Sequence, residues 1–392
     1  MKDVVIVSMA RTPIGSFQGS LASVSAPRLG AHAIQSALSR AGLKPDQVSE
    51  VIMGNVLTAG LGQAPARQAM IYAGIPTSVP ALTVNKVCGS GMKAIMLGMQ
   101  SIQLGESDIV IAGGQESMTN APYLMPAARS GFRMGNAQVI DSMIHDGLWD
   151  PYNHQHMGTC GDLCAREKNF SREELDAFAM QSFKRAQAAQ AEHKFDAEIA
   201  PITLTGSKGE TQVIAIDEGP AKVKYDKIPS LKPVFDKAGT TTAANASTLN
   251  DGASAVVLMS AEKAKALGIK PLARIVSQAS FAQDPLWFTT APVGAMKKAL
   301  ERANWKVSDV DLFEINEAFA VVPLAVAREL ELPNEKLNVW GGGISLGHPI
   351  GSSGSRIVIT LISALKDRGL TKGLAGICIG GGEATALTIE IL

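Results

Sequence analysis

The chain has 392 residues, with 36 Lys and Arg against 36 Asp and Glu, so its formal net charge is zero. That balance argues against a nucleic-acid protein, which carries a basic excess, and no apolar run reaches the roughly 20 residues of a membrane helix. With 46% hydrophobic and 18% charged residues, most of the chain must pack, over two or three domains.

The N-terminus, "MKDVVIVSMARTPIG", reads as a strand from its third residue and lacks a signal peptide's basic and then apolar regions. Further strands follow in "EVIMGN" from Glu50, "PALTV" from Pro80 and "DIVIAGG" from Asp108. "AVVLMS" from Ala255, "LARIVSQAS" from Leu272, "LFEIN" from Leu312 and "LAGICIGGG" from Leu374 continue the series. "ALTIEIL" from Ala386 closes it, with no ER or peroxisomal address. Several of these runs are apolar without alternation, as expected of strands covered on both faces. Helical patterns lie between them, so the fold class is α/β. Four scattered cysteines do not make a disulfide framework, and a reducing cytoplasm is the expected location.

The chain repeats itself. "ALSRAGLKPDQV" from Ala37 returns as "ALERANWKVSDV" from Ala299, 262 positions on, each as helix, turn and strand. Ser90 and Gly91 of "CGSGMKAI" correspond to Ser353 and Gly354 of "IGSSGSRI" at an offset of 263. Gly113 and Gly114 correspond to Gly380 and Gly381 at 267. Three ordered blocks indicate two copies of one α/β unit about a pseudo-twofold axis. The first unit spans 1–117 and 249–270, and the second spans 271–392. Residues 118–248 form an inserted cap, with a helix opened by Ser171 and Glu174 as a capping box.

Four glycine-rich or strand-end segments could carry chemistry: "NKVCGSGMKA" with Cys88, "NEAF" with Asn316, "GGGISLGHPIGSSGSR" with His348, and "CIGGG" with Cys378. Cys88 at the mouth of a helix is either a small buried side chain or a nucleophile, since a helix N-terminus lowers a thiol pKa. Taken together, a thiol, a histidine to move its proton, turn N–H groups as an oxyanion site and a second thiol form a complete acyl-transfer set. No phosphate-binding fingerprint is present.

"CGSG", "NEAFA", "GHPIG" and "CIGGG", with "MARTPIGSF", "GGQESMTNAPY" and "NASTLNDGASAVVL", resemble the thiolase family nearly end to end. The resemblance implies two βαβαβαββ units in five layers with an inserted loop domain, assembled as a homotetramer. It implies reversible Claisen condensation of two acetyl-CoA to acetoacetyl-CoA and CoA. The alternative is degradative cleavage of longer 3-ketoacyl-CoA. By resemblance Cys88 is acylated, His348 activates it and Cys378 moves the proton at the reacting carbon. Asn316 with His348 makes one oxyanion site, and the N–H groups of Cys88 and Gly380 make the other. Leu148, His156, Met157, Phe235, Ala243, Ser247, Ala318 and Phe319 are expected around the pantetheine and acyl groups. Phe288 is expected as the wall that limits acyl length. Lys222 and Lys227, or Lys224, stand near where the family often has an arginine for the nucleotide end. Acyl-CoA thioesters are the expected partners and substrates, with no cofactor. His154, His156, Cys160 and Cys164 in "HQHMGTCGDLC" have poor zinc spacing, and no metal is expected. Trp340 replaces the family's usual Asn and is expected to alter the packing behind His348.

Overall fold

The structure, a computed structural model, describes residues 2–206 and 209–392. Nine long strands carry the fold: β1 (Val4–Arg11), β2 (Glu50–Gly54), β3 (Ala81–Val84), β4 (Ile109–Ser117), β5 (Asn250–Ser260), β6 (Ala273–Ala282), β7 (Leu312–Ile315), β8 (Lys372–Ile379) and β9 (Glu383–Ile391). Their order is β3-β2-β4-β5-β1-β6-β9-β8-β7, with the short strand Gly15–Ser16 beside β5. From the centre outwards, β1, β5, β4 and β2 take the places in one half that β6, β9, β8 and β7 take in the other. The halves join where β1 meets β6, through the pairs Val5–Arg274 and Ile6–Ala273. A contact that short lets the two half-sheets turn away from one another.

Eight longer helices cover these sheets: α1 (Ala26–Arg40), α2 (Pro65–Tyr72), α3 (Ser90–Leu104), α4 (Met157–Glu167), α5 (Arg172–Ala191), α6 (Ala291–Ala303), α7 (Val321–Leu330) and α8 (Ile350–Asp367). The α1 and α2 pair covers the outer face of the first half, and α6 covers the outer face of the second. Between the halves run α3 and α8, packed on each other and on both sheets. The result is five layers. Each strand near the axis feeds two cores. Along β1, Val5 and Val7 join Leu29 and Ile34 of α1, while Val4 and Ile6 join Met92 and Ile357 on the inner side. A strand apolar on both faces needs no polar alternation.

The chain between β4 and β5 stands off the sheet. It contributes α4, α5 and several short strands, and α5 begins with the capping box of Ser171 and Glu174. Cys160 and Cys164 of α4 pack with Phe178 and Phe319 in the core of the second half. The Trp340 ring meets Phe195 edge-on at 5.7 Å. Its ring thus packs against the segment after α5.

The two central helices approach each other through small residues. A Cβ on Gly354 would lie 2.5 Å from the Met92 nitrogen, and one on Gly114 would lie 2.0 Å from the Gly351 oxygen. Both obstacles are backbone and cannot turn aside. Gly114→Ala should therefore destabilise the protein by the upper end of about 1–3 kcal/mol, or more, in denaturant unfolding. A loss below about 0.5 kcal/mol would show that α8 can shift to accept the methyl group.

Candidate active site

Cys88 sits in the turn that launches α3. The turn is tight because Gly89 N–H and Ser90 N–H donate back to the Lys86 and Val87 carbonyls, both at 3.0 Å. The Ser90 hydroxyl accepts from Lys86 N–H at 2.8 Å and donates to the Val87 carbonyl at 2.6 Å. Val87 takes φ +44°, an unfavourable value for a β-branched residue. Lys86 pairs with Glu383, so the turn is tied to the second unit. The Cys88 sulfur receives N–H groups from Gly380 and from its own backbone. Its neighbour across the interface is Cys378, near the end of β8, whose sulfur receives the Ala318 N–H.

His348 lies on the lead into α8 and is 4% exposed. Its Nδ1 is 2.6 Å from the Ser353 hydroxyl, and that hydroxyl donates to the Pro349 carbonyl at 3.0 Å. With its proton so used, Ser353 accepts from Nδ1–H, which leaves Nε2 as the bare, basic nitrogen. Nε2 has no partner. Asn316 follows β7, is fully buried, and both atoms of its amide are also without a partner. By contrast Asn55, which follows β2 in the first unit, is fully engaged by Glu116 and Gln115. Unpaired buried polar atoms are costly; at Asn316 a substrate oxygen or water can satisfy the NH2, and at His348 a water or a thiol proton can satisfy Nε2.

A cavity of about 570 Å³ reaches His348. Leu148, His156, Lys222, Phe235, Ala243, Ser247 and Phe319 all line it. A neighbouring cavity of about 290 Å³ shares Lys222 and Ala243 and adds Lys224 and Lys227. Four apolar and three polar expectations thus line one cavity, and the cavity beside it carries the further lysines. Ala318 contributes its backbone, accepting from Ser247 N–H at 2.9 Å. Met157 lies beside the Gly380 turn, its sulfur 3.2 Å from where a Cβ on Gly380 would sit.

The N-terminal domain of the thiolase family matches residues 4–262, and its C-terminal domain matches residues 269–391. The chain belongs to the thiolase family. It is 55% identical over 391 residues to an acetyl-CoA acetyltransferase of Cupriavidus necator, covering all of both chains. It is 53% identical to an acetyl-CoA acetyltransferase of Pseudomonas aeruginosa, covering 99% of each. Among solved structures, the Bacillus anthracis acetyl-CoA acetyltransferase superposes with a TM-score of 0.98 at 43% identity, over 100% of this chain and 99% of that one.

Two expectations for this thiolase need correction. Phe288 is 2% exposed and is not on the cavity wall. It stands behind Phe319, the ring centroids 6.3 Å apart, because the loop after β6 turns it into the core of the second half. The second concerns the thiol. Burial pushes Cys88 up to about 11, and the N–H groups of Gly380 and Cys88 only partly oppose it. Desolvation outweighs the helix end when the thiolate has so little contact with water. Burial likewise raises Cys378 and lowers His348 to about 3.

His156 is engaged in another way than metal binding. Its Nδ1 accepts Gly158 N–H at 3.0 Å as the cap of α4, and its ring stacks on Phe235 at 4.5 Å. Among the described residues no group of three or more His, Cys, Asp or Glu is arranged to hold a metal. Sequence reasoning missed the apolar cavity residues Met118, Met143, Ile144, Val234, Leu249 and Ile350. They come from separate segments, and no local pattern marks them. It also passed over Glu116 in "GGQES" and Glu317 in "NEAF", two carboxylates that are fully buried.

The resting thiol and imidazole should therefore both be neutral. Alkylation of Cys88 by iodoacetamide should keep accelerating beyond about pH 8.5, the range where an ordinary thiol levels off. A plateau near neutral pH, abolished in Cys88→Ser, would contradict this. His348 also gives stability a pH dependence. Its pKa is depressed from 6.5 to about 3 on folding. The unfolded chain then takes up the proton first, so this stability is present above about 6.5 and lost as pH falls toward about 3. Acid titration of unfolding should show a shallower loss in that window for His348→Asn.

Proposed function

We propose that this thiolase condenses two acetyl-CoA to acetoacetyl-CoA and CoA, reversibly, through an acyl-Cys88 intermediate. The single observation that carries the reading is that Cys88 and Cys378, from different units, lie close enough to interact, while His348 and Asn316 keep unpaired buried polar atoms. The shared name of the full-length relatives supports the choice of substrate.

In the first half-reaction His348 Nε2 takes the Cys88 proton as sulfur attacks the thioester carbonyl. CoA leaves as the thiol by taking the Cys378 proton, which leaves Cys378 as the thiolate while His348 keeps the proton of Cys88. In the second half-reaction Cys378, as thiolate, removes a methyl proton from a new acetyl-CoA. The enolate oxygen accepts from the Nε2–H that His348 gained from Cys88 and, through a water, from the Asn316 amide. The enolate carbon attacks acetyl-Cys88, and the N–H groups of Cys88 and Gly380 hold the tetrahedral oxygen. Collapse releases Cys88 sulfur and acetoacetyl-CoA. The low polarity that makes both thiols hard to ionise also strengthens each hydrogen bond to a developing oxyanion.

Leu148, His156, Met157, Phe235, Ser247, Ala318 and Phe319 surround the pantetheine and acyl groups in this reading, while Lys222, Lys224 and Lys227 face the phosphates. No cofactor or metal is called for, since thiols, imidazole and N–H donors supply every proton transfer and charge. We read the protein as a cytoplasmic homotetramer with acyl-CoA partners and no nucleic-acid or membrane role. Four free, buried cysteines suit a reducing compartment. Strand β3 leaves a sheet edge with Leu82 exposed, and Tyr123, Met125, Phe132 and Met134 are exposed on one arm. Such surfaces suit contacts between copies, and light scattering at two concentrations measures the assembly.

Mass spectrometry after brief exposure to acetyl-CoA should find acetyl on the Cys88 peptide. Cys378→Ala should still acetylate but lose about 100- to 10,000-fold in turnover. Label on Cys378 alone would reverse the roles. Full activity after prolonged chelation is expected.

Substrate length is set by Phe319 backed by Phe288. A methylene that fits adds about 0.8 kcal/mol of burial, whereas one that forces packed rings apart costs about 1–3 kcal/mol. Acetoacetyl-CoA should be the best thiolysis substrate, with activity falling steeply at six carbons and beyond. Phe288→Ala should relax this limit indirectly, by letting Phe319 retreat. Equal efficiency on four- and ten-carbon substrates would overturn the short-pocket reading.

A further inference from the structure

The segment that carries His348 has little regular structure of its own. Between Gly341 and Pro349 it forms turns, and it is buried throughout. Its position must come from what its backbone donates to. Ile344 N–H donates to Glu317 Oε2 at 3.2 Å, His348 N–H to Asn250 Oδ1 at 2.9 Å, and Gly351 N–H to Glu116 Oε2 at 2.9 Å. Three side chains from three different strands or strand ends thus hold two points of the loop and one in the first turn of α8. Gly347 fits closely over Asn250, at φ +114°, where a Cβ would meet the amide carbon at 2.5 Å.

The other contacts of the two carboxylates anchor them to rigid elements. Glu116 lies in β4 and also accepts from Val56 N–H, Leu57 N–H and the Asn55 amide, at 3.0, 3.1 and 2.7 Å. Glu317 also accepts from the Ser182 hydroxyl at 2.7 Å and the Asn338 amide at 2.9 Å. Every one of these partners is a donor; only the Ser182 hydroxyl can also accept, and it already accepts Gly342 N–H at 3.2 Å. Burial pushes both carboxyls up, Glu116 to about 7, and the surrounding donors oppose it. The geometry accommodates the ionised forms. Glu317 is next in the chain to Asn316, so the same side chain ties the two arms of one oxyanion site together.

We propose that Glu317 and Glu116, one buried carboxylate from each unit, are positioning residues that fix the loop of His348 relative to Asn316 and Cys88. This rests on the roles given to those three residues above. The carboxylates touch no reacting atom. They act through the backbone, and an isosteric amide cannot replace them, because its NH2 would face N–H donors. Displacing a catalytic group by about 1 Å can cost about 100-fold in rate.

The test uses the full-length Glu317→Gln and Glu116→Gln proteins. Cys88 acetylation by acetyl-CoA counts the competent sites, and thiolysis kcat and KM are then expressed per site. Exchange of the acetyl-CoA methyl protons in heavy water reports the enolate step. We expect kcat per site to fall about 10- to 100-fold with KM changed less than about threefold. Glu317→Gln should depress methyl exchange more than Glu116→Gln, since only Glu317 also borders Asn316. If the residues merely support the fold, the number of sites and the melting temperature fall while kcat per site and methyl exchange stay at wild-type values, and the proposal is overturned. Should either amide variant fail to fold, Ser182→Ala removes one donor to Glu317 and leaves the carboxylate. It should lower methyl exchange per site by about threefold or more, and an unchanged rate overturns the proposal. A wild type that does not acetylate Cys88 would remove the functional reading first, and this proposal with it.

Discussion

Two buried helices that touch almost backbone to backbone are the constraint on which this thiolase depends. Gly91 of α3 faces the Ser355 nitrogen of α8, and Gly354 of α8 faces the Met92 nitrogen of α3. The contact lies in the first turn of each helix, so the two N-termini meet at one end of the central layer. Cys88 precedes one helix and His348 precedes the other. A Cβ at either glycine would meet an atom of the other helix at 2.6 Å or less. Bringing these termini together also brings the strand ends around them, because α3 packs on β4 and α8 on both half-sheets.

The packing that assembles the site also removes water from it. Cys378, Asn316 and His348 are all under 5% exposed. The thiols are held protonated and the imidazole neutral, so the resting protein has little charge at its centre. The nearby carboxylates of Glu116 and Glu317 are each ringed by donors. Donors that favour a negative charge thus surround the positioning residues, while the reacting groups rest nearly uncharged. Such an environment favours reactions in which charge develops beside prepared donors and hinders those that require a free thiolate in advance. Substrate entry changes that balance, because a thioester oxygen can accept from the Asn316 amide NH2, and His348 Nε2 becomes a donor once it has taken the Cys88 proton.

Other buried polar groups hold the frame rather than the chemistry. Arg11 pairs with Glu198 and Asp217 at 2.7 Å, tying β1 to the segments after α5. Arg356 pairs with Glu314 at 3.1 Å, joining α8 to β7. Each links an element of the sheet-and-helix frame to a partner distant in the chain. Removing one partner would strand a buried charge, which is far more costly than losing a surface pair.

Much of this was legible in the sequence because it is written in local pattern or in repetition. Apolar runs of strand length gave the strands. The spacing between repeated blocks gave the two units and their pseudo-twofold relation, and glycine-rich turns at helix mouths pointed to Cys88 and His348. The resemblance added the roles of Asn316, Cys378 and Gly380. Only the tertiary structure decided what depends on neighbours far apart in the chain. Phe288 lies behind Phe319 because a loop turns it into the core, which no alignment of "DPLWF" reveals. The Cys88 thiol is raised because desolvation there exceeds the effect of the helix end, and burial is a property of the whole packed molecule. Glu116 and Glu317 look like ordinary charged residues in sequence. Their importance appears once β4 and the end of β7 are seen beneath the histidine segment, accepting from Ile344 N–H and Gly351 N–H.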